Sequence, residues 1–94
     1  MRKYEMMLIF YPDYAEEKRN AVMDRLKGII ETDGKVETID EWGLRKLAYL
    51  INDYAEGYYV LVNFEAGPDI AKELDRVSKI SEGIMRHMIT KIEE

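Results

Sequence analysis

The chain has 94 residues, of which 47% are hydrophobic and 35% charged, and it carries a formal net charge of −5. This length and balance predict one soluble globular domain over residues 1–94, and they exclude a disordered chain. The sequence contains no cysteine and one histidine, which excludes disulfides and thiolate chemistry and leaves too few ligands for a histidine-based metal site, so we expect no metal and no cofactor.

Neither membrane insertion nor export is predicted by the sequence. No apolar run reaches the roughly 18 residues that a spanning helix needs, and residues 1–5 lack the apolar core of a secretory signal. We therefore expect a cytoplasmic protein. The negative net charge also argues against unaided, nonspecific binding to a polyanion, because affinity for phosphates comes from clustered Lys and Arg.

The first third of the chain predicts a strand followed by a helix. Apolar side chains occupy both faces of an alternating segment over residues 3–11, which is typical of a central strand. Pro12 ends this strand, and Asp13 with Glu16 resembles a capping box at the start of a helix. Asp33-Gly34 provides the stop. The predicted inward stripe of this helix consists of Val22, Leu26, Ile29 and Ile30.

The middle of the chain predicts a long hairpin. Period-two patterning covers residues 36–51 and is interrupted at Gly43, where a glycine within a strand usually marks a bulge. A turn-rich connection over residues 52–57 leads to a second strand, over residues 58–65, that is rich in Tyr, Val and Phe.

The last third predicts a helix and a strand. Gly67-Pro68-Asp69 is typical of a helix start, and the helix stops at residues 81–83. Residues 84–92 form the last predicted strand, whose inward face the pattern leaves unassigned. The order strand, helix, strand, strand, helix, strand predicts an α+β, ferredoxin-like fold (split βαβ, or βαββαβ), in which a four-stranded antiparallel sheet carries both helices on one face. The second helix presents the stripe Ile70, Leu74 and Val77.

The sheet face without helices needs a partner. Met7 and Ile9 lie on it according to the alternation of the first strand, and a protein or an RNA would cover them. Tyr58 and Tyr59 must point to opposite faces, so one packs under the helices while the other offers its ring on the open side.

Residues 41–49 carry the strongest candidate binding features. Arg45 and Lys46 are adjacent, so on a regular strand they point to opposite faces, whereas a bulge at Gly43 could turn both toward one partner. The alternative is a pair of solvated edge charges. Trp42 is either an interface anchor or a half-buried packing residue.

Catalysis is not predicted. The sequence has no phosphate-binding glycine loop, nucleophile elbow or metal motif, and its acidic helix positions do not converge two carboxylates. His87 stands without a nearby acid or nucleophile in a catalytic spacing, so it either contacts a phosphate or serves the structure. An acylphosphatase-like enzyme of this fold would need a phosphate-cradling loop after the first strand, where Tyr11-Pro12-Asp13 forms an acidic turn instead.

Several segments share an order and a spacing that no single motif explains. They are Met1-Arg2-Lys3-Tyr4-Glu5, Glu41-Trp42-Gly43, Arg45-Lys46-Leu47-Ala48-Tyr49, Gly57-Tyr58-Tyr59 and Ile84-Met85-Arg86-His87. Together they resemble the bacterial small-subunit ribosomal protein S-six family, from residue 1 to about residue 92. The resemblance implies a ferredoxin-like, non-catalytic component of the small ribosomal subunit. It further implies binding to the central domain of small-subunit ribosomal RNA as a heterodimer with ribosomal protein S-eighteen.

The resemblance also implies where the contacts lie. The positions expected near RNA or the partner protein are Arg2, Lys3, Trp42, Arg45, Lys46, Tyr49, Arg86, His87 and Lys91. A strongly basic partner accounts for the net charge of −5, because the partner supplies much of the phosphate neutralisation. The alternative interpretation is a ferredoxin-like module for protein interaction or small-molecule sensing, which self-associates and binds no RNA.

Overall fold

The computed structural model describes residues 1–92 and contains the predicted elements in the predicted order. They are β1 (Arg2–Phe10), α1 (Glu16–Glu31), β2 (Lys35–Ile51), β3 (Tyr54–Ala66), α2 (Pro68–Ile80) and β4 (Ile84–Lys91). The strands form one antiparallel sheet in the order β2-β3-β1-β4, which confirms the ferredoxin-like fold. The predicted domain also includes residues 93–94, which lie outside this range. No helix within residues 1–92 is long and apolar enough to cross a membrane.

The core lies between one face of the sheet and both helices. Because strand side chains alternate between faces, every second residue is buried there from Tyr4 onward in β1 and from Val60 onward in β3. These residues are Tyr4, Met6, Leu8, Phe10, Val60, Val62, Phe64 and Ala66, and the helices add Met23, Leu26, Ile30, Leu74 and Val77. The predicted stripes are confirmed, although Val22, Ile29 and Ile70 are only partly buried.

The inward face of β4 follows from its pairing with β1. His87 and Ile89 lie opposite buried residues of β1, whereas Arg86 and Met88 lie opposite half-buried ones. Directly paired residues share a face of the sheet. His87 and Ile89 therefore lie on the helix side, and Arg86 and Met88 lie on the side that the helices leave uncovered.

Helix α1 begins without the predicted capping box. Its N-cap is Ala15, which makes no side-chain capping hydrogen bond. The Asp13 carboxylate instead accepts a hydrogen bond from the Tyr54 hydroxyl at 3.1 Å, and this bond raises the pKa of the Tyr54 phenol. The predicted N-cap is wrong because a contact with a distant part of the chain occupies the carboxylate.

The turn between β2 and β3 is tighter than predicted. Asn52 and Asp53 have φ angles of 50° and 69°, as in the type I′ turns that match strand twist, and β3 begins at the next residue. The predicted connection over residues 52–57 is therefore wrong beyond Asp53. Gly57 belongs to β3, where a Cβ atom would lie 2.3 Å from Ile9 Cγ2, so its missing side chain allows a close approach of the two strands.

Two serines of the second helix region give a matched test of burial. Ser78 is 1% exposed and its hydroxyl has no hydrogen-bond partner within residues 1–92, whereas the Ser81 hydroxyl donates to the Val77 carbonyl at 2.7 Å. An unpaired buried hydroxyl costs stability, and alanine is the better helix former. We expect Ser78→Ala to raise the free energy of unfolding by about 1 kcal/mol and Ser81→Ala to lower it by about 1 kcal/mol, as measured by denaturant titration. A loss of stability in both variants would contradict this difference in pairing.

Candidate binding surface

The sheet face opposite the helices exposes a continuous set of apolar side chains, which we call the open patch. Met7 at its centre pairs with Leu61 of β3 on one side and with Met88 of β4 on the other. Met88 is 62% exposed. The open patch consists of Met7, Ile9, Trp42, Tyr59, Leu61 and Met88. Contiguous apolar surface of this kind marks an interaction site in a folded domain.

A groove of about 310 Å³ runs along the open patch between β1 and β4. Met7, Ile9, Arg86 and Met88 form its walls on the open side, and it also borders His87, whose side chain lies on the helix side. Apolar side chains make up most of the lining, and the Arg86 guanidinium supplies a positive charge at the rim. The groove can therefore receive an apolar side chain of a partner molecule.

The predicted bulge at Gly43 is confirmed, and it brings Trp42 onto the open patch. Gly43 has a φ of 81°, and the pairing with β3 skips Trp42 between Glu41 and Gly43. The indole stacks on the Tyr59 ring with 6.3 Å between centroids and 8° between planes. Its Nε1 donates to Asp40 Oδ2 at 3.2 Å. Trp42 is 39% exposed, so it packs on one side and still presents apolar surface.

The bulge does not bring Arg45 and Lys46 together. Pairing is regular from Gly43 to Lys46, with Arg45 opposite Gly57 and Lys46 opposite Glu56, and the next register shift lies after Lys46. Adjacent residues of a regular strand point to opposite faces, so Arg45 lies on the open side and Lys46 on the helix side. The idea that both cations turn toward one partner is wrong because the bulge at Gly43 ends before Arg45, and the next register shift begins only after Lys46.

The other predicted site residues are also divided between the two faces. Arg2 and Lys91 pair with buried core residues and lie on the helix side. Lys3 lies on the open side, with its Nζ 4.0 Å from Glu65 Oε1. The open side thus carries Lys3, Trp42, Arg45, Tyr49 and Arg86, and the helix side carries Arg2, Lys46, His87 and Lys91.

His87 connects β4 to α2. Its Nε2 lies 2.8 Å from Asp75 Oδ1, and its side chain is 15% exposed. Lys79 Nζ lies 3.1 Å from the other oxygen of the same carboxylate. Hydrogen bonds from His87 and then from Lys79 lower the pKa of the Asp75 carboxyl. This geometry favours the structural alternative for His87 over a phosphate contact.

The tip of the β2–β3 hairpin is fastened to the end of the sheet by polar and aromatic contacts. Asn52 Nδ2 donates to the Tyr11 hydroxyl at 2.9 Å, and the Tyr11 and Tyr54 rings lie 5.1 Å apart between centroids. Nearby, the Arg86 guanidinium donates to the Tyr49 hydroxyl. These contacts place Tyr49, from the hairpin, beside Arg86, from the far edge strand.

The two neighbouring tyrosines of β3 behave as predicted. Tyr58 packs against the core, where the Arg19 guanidinium lies 3.7 Å from its ring centroid, and Tyr59 lies on the open side. Leu61 and Met88 were not predicted as parts of the open patch. The alternation of β3 contained the signal for Leu61, which lies two positions after Tyr59, but Met88 could be placed only once the pairing of β4 was known.

Comparisons with known proteins identify the family and support the fold. The family model described as Ribosomal protein S6 matches residues 3–91. The chain belongs to this family. It is 53% identical to small ribosomal subunit protein bS6 of Alkaliphilus oremlandii and 56% identical to that of Alkaliphilus metalliredigens, in each case over 94 residues that cover 100% of both chains.

A solved structure supports the same family membership. The crystal structure of 30S ribosomal protein S6 from Thermotoga maritima matches with a TM-score of 0.89 and 32% sequence identity, covering 97% of this chain and 87% of that one. The family resemblance inferred from the sequence is confirmed. The chain is a protein of the small ribosomal subunit, and its location is therefore the cytoplasmic ribosome, as predicted.

Proposed function

We propose that the protein is a non-catalytic component of the small ribosomal subunit, which binds the central domain of the ribosomal RNA together with ribosomal protein S-eighteen. The observation that carries this proposal is the open patch, an uncovered apolar sheet face in a chain of net charge −5. An acidic chain gains little from phosphates alone, whereas a basic partner seated on this face adds the missing positive charge.

The composition of the open patch supports a protein as its direct partner. Methionine and aromatic side chains are enriched at the centres of protein interfaces, and both kinds occur here. They stand on β1, β3 and β4 and on the bulge of β2, so the sheet holds them in place before the partner arrives. Contacts between preformed surfaces lose less conformational entropy than contacts that must first be ordered.

Cations at the ends of the open face support contact with RNA beside the partner. Lys3 lies at the start of β1, while Arg45 and Arg86 lie toward its other end. Contacts from Lys and Arg to phosphates position a protein on RNA without reading its sequence. We assign the apolar centre to the partner protein and these cations to the RNA.

The polar side chains that acid–base catalysis would use make structural contacts instead. The ring of the only histidine is hydrogen-bonded to Asp75, and the Asp13 carboxylate accepts a hydrogen bond from the Tyr54 hydroxyl. These contacts fasten β4 to α2 and the hairpin tip to the loop after β1. They support a scaffold role.

The test is the dependence of RNA binding on the partner. A labelled central-domain fragment of small-subunit ribosomal RNA is titrated with the isolated protein, with isolated S-eighteen and with their mixture. We expect weak binding by the isolated protein and tight binding by the mixture, with log affinity falling steeply against log salt concentration. Tight, specific binding by the protein alone would contradict the proposal, and self-association without binding to either molecule would favour the interaction-module alternative.

Single substitutions of Arg45 and Lys46 test which face meets the RNA. Both side chains are exposed, so we expect each alanine variant to change the free energy of unfolding by no more than about 0.5 kcal/mol. In the heterodimer, Arg45→Ala is expected to weaken RNA binding and to make the salt slope shallower by about one. Lys46→Ala is the matched control from the other face. An unchanged affinity for Arg45→Ala would assign Arg45 to the solvated edge charges.

A further inference from the structure

The side chain of Tyr49 is largely exposed to solvent. It is 61% exposed, compared with 39% for Trp42, and it lies outside the hydrophobic core and the residues packed against it. Within residues 1–92, its recorded ring and hydrogen-bond contacts are both with Arg86. Fold stability therefore does not explain an aromatic ring at this position.

Arg86 steadies this ring without covering it. Its guanidinium donates to the Tyr49 hydroxyl, and its Cζ lies 5.8 Å from the ring centroid. By comparison, the guanidinium of Arg19 lies 3.7 Å from the centroid of the Tyr58 ring on which it stacks. Arg86 thus does not stack closely on the ring, and the 61% exposed side chain of Tyr49 keeps ring surface available to a ligand.

Arg86 also keeps unused hydrogen-bond donors. A guanidinium has five N–H groups, and Arg86 forms no ion pair with a carboxylate of residues 1–92. Guanidinium groups bind phosphate oxygens through paired donors. An uncovered aromatic face and an uncompensated guanidinium consequently stand side by side.

The hairpin tip that carries Tyr49 is held in place. The bond from Asn52 to Tyr11 and the bond from Tyr54 to Asp13 fix the tip on both sides of its turn. A ring that is already ordered loses little conformational entropy when a ligand stacks on it. The site is therefore preorganised for a flat, anionic ligand.

On this geometry we propose that Tyr49 and Arg86 form a binding site for one unpaired nucleotide of RNA. The base stacks on the Tyr49 ring, and the phosphate is bound by the Arg86 guanidinium. The inference rests on the proposed function, and it specifies which part of the RNA this end of the open face binds. Bases that are splayed out of loops and bulges stack on aromatic side chains, whereas paired bases in an A-form helix are not available for stacking.

The test uses the heterodimer with S-eighteen and two RNA probes, the central-domain fragment and a fully base-paired RNA of equal length. We expect Tyr49→Ala to weaken binding to the fragment by about 5- to 100-fold while the salt slope stays constant, because stacking releases no counterions. Tyr49→Phe, which keeps the ring, is expected to stay within about threefold of the wild type. Arg86→Gln is expected to make the slope shallower by about one.

Leu50→Ala is the control, because Leu50 is the next residue, is 62% exposed and offers no aromatic ring. It should bind both RNA probes as the wild type does. Equal binding of the fragment by Tyr49→Ala and the wild type would overturn the nucleotide site, as would an equal loss on the base-paired RNA. A weaker heterodimer without RNA would assign Tyr49 to the partner interface and overturn it too. Failure of the wild-type heterodimer to bind the fragment would instead overturn the proposed function.

Discussion

Replacing Leu26 by alanine is expected to lower the free energy of unfolding by about 2–5 kcal/mol. Leu26 is 1% exposed and lies at the inward stripe of α1, within the cluster that joins the helices to the sheet. The substitution removes buried methyl groups and leaves a cavity that a close-packed core fills only in part. The measurement is equilibrium denaturation by urea, with the slope of the transition checked for two-state behaviour.

Leu50→Ala provides the matched control for this stability prediction. It is the same chemical change at a side chain that is 62% exposed, and ordinary surface changes cost no more than about 0.5 kcal/mol. Heterodimer formation by Leu26→Ala should suffer only in proportion to its unfolded fraction. A loss below about 1 kcal/mol in Leu26→Ala would mean that α1 packs on the sheet through another stripe.

The fold was predictable because two local periods dominate the sequence. Apolar residues recur at period two in β1 and at helical spacing in α1 and α2, and each period permits one kind of buried face. The bulge at Gly43 was also predictable, since only glycine adopts a φ of 81° without strain. These features depend on residues that are close together along the chain, so they can be predicted from a single sequence.

The errors arose where distant residues decide the local structure. Asp13 has the sequence context of an N-cap, yet its carboxylate accepts a hydrogen bond from the hydroxyl of Tyr54, which lies at the hairpin tip. Gly57 has the context of a turn, yet it lies inside β3, where its missing side chain allows the close approach of Ile9. Local propensity gave the wrong result in both places because a contact across the fold outweighed it.

The candidate site was predictable by residue type and not by arrangement. Trp42, Arg45 and Tyr49 stood out in the sequence, but their faces depend on where the bulge ends. The pairing of Tyr49 with Arg86 joins positions separated by 37 residues, and no period or motif connects them. Only the strand order β2-β3-β1-β4 and the folded hairpin tip bring this pair together.

Placing a lysine at Met88 is expected to weaken heterodimer formation with S-eighteen by about 100-fold, or about 3 kcal/mol. Met88 forms one side of the open patch and is 62% exposed, so the free monomer can keep a lysine there in solvent. In the proposed complex, the new charge would lose its water and face a basic partner. Both effects oppose binding, whereas neither acts on folding. The measurement is calorimetric titration of the partner protein in the absence of RNA.

Ile80→Lys is the control that makes the Met88 result interpretable. Ile80 is 60% exposed at the end of α2, so the substitution adds the same charge at a similarly exposed apolar side chain, away from the open patch. Both variants raise the net charge equally, and any long-range repulsion of a basic partner must therefore appear in both. A large loss confined to Met88→Lys locates the partner on the open patch. Equal losses would show a general charge effect, and no loss in either would place S-eighteen on another surface.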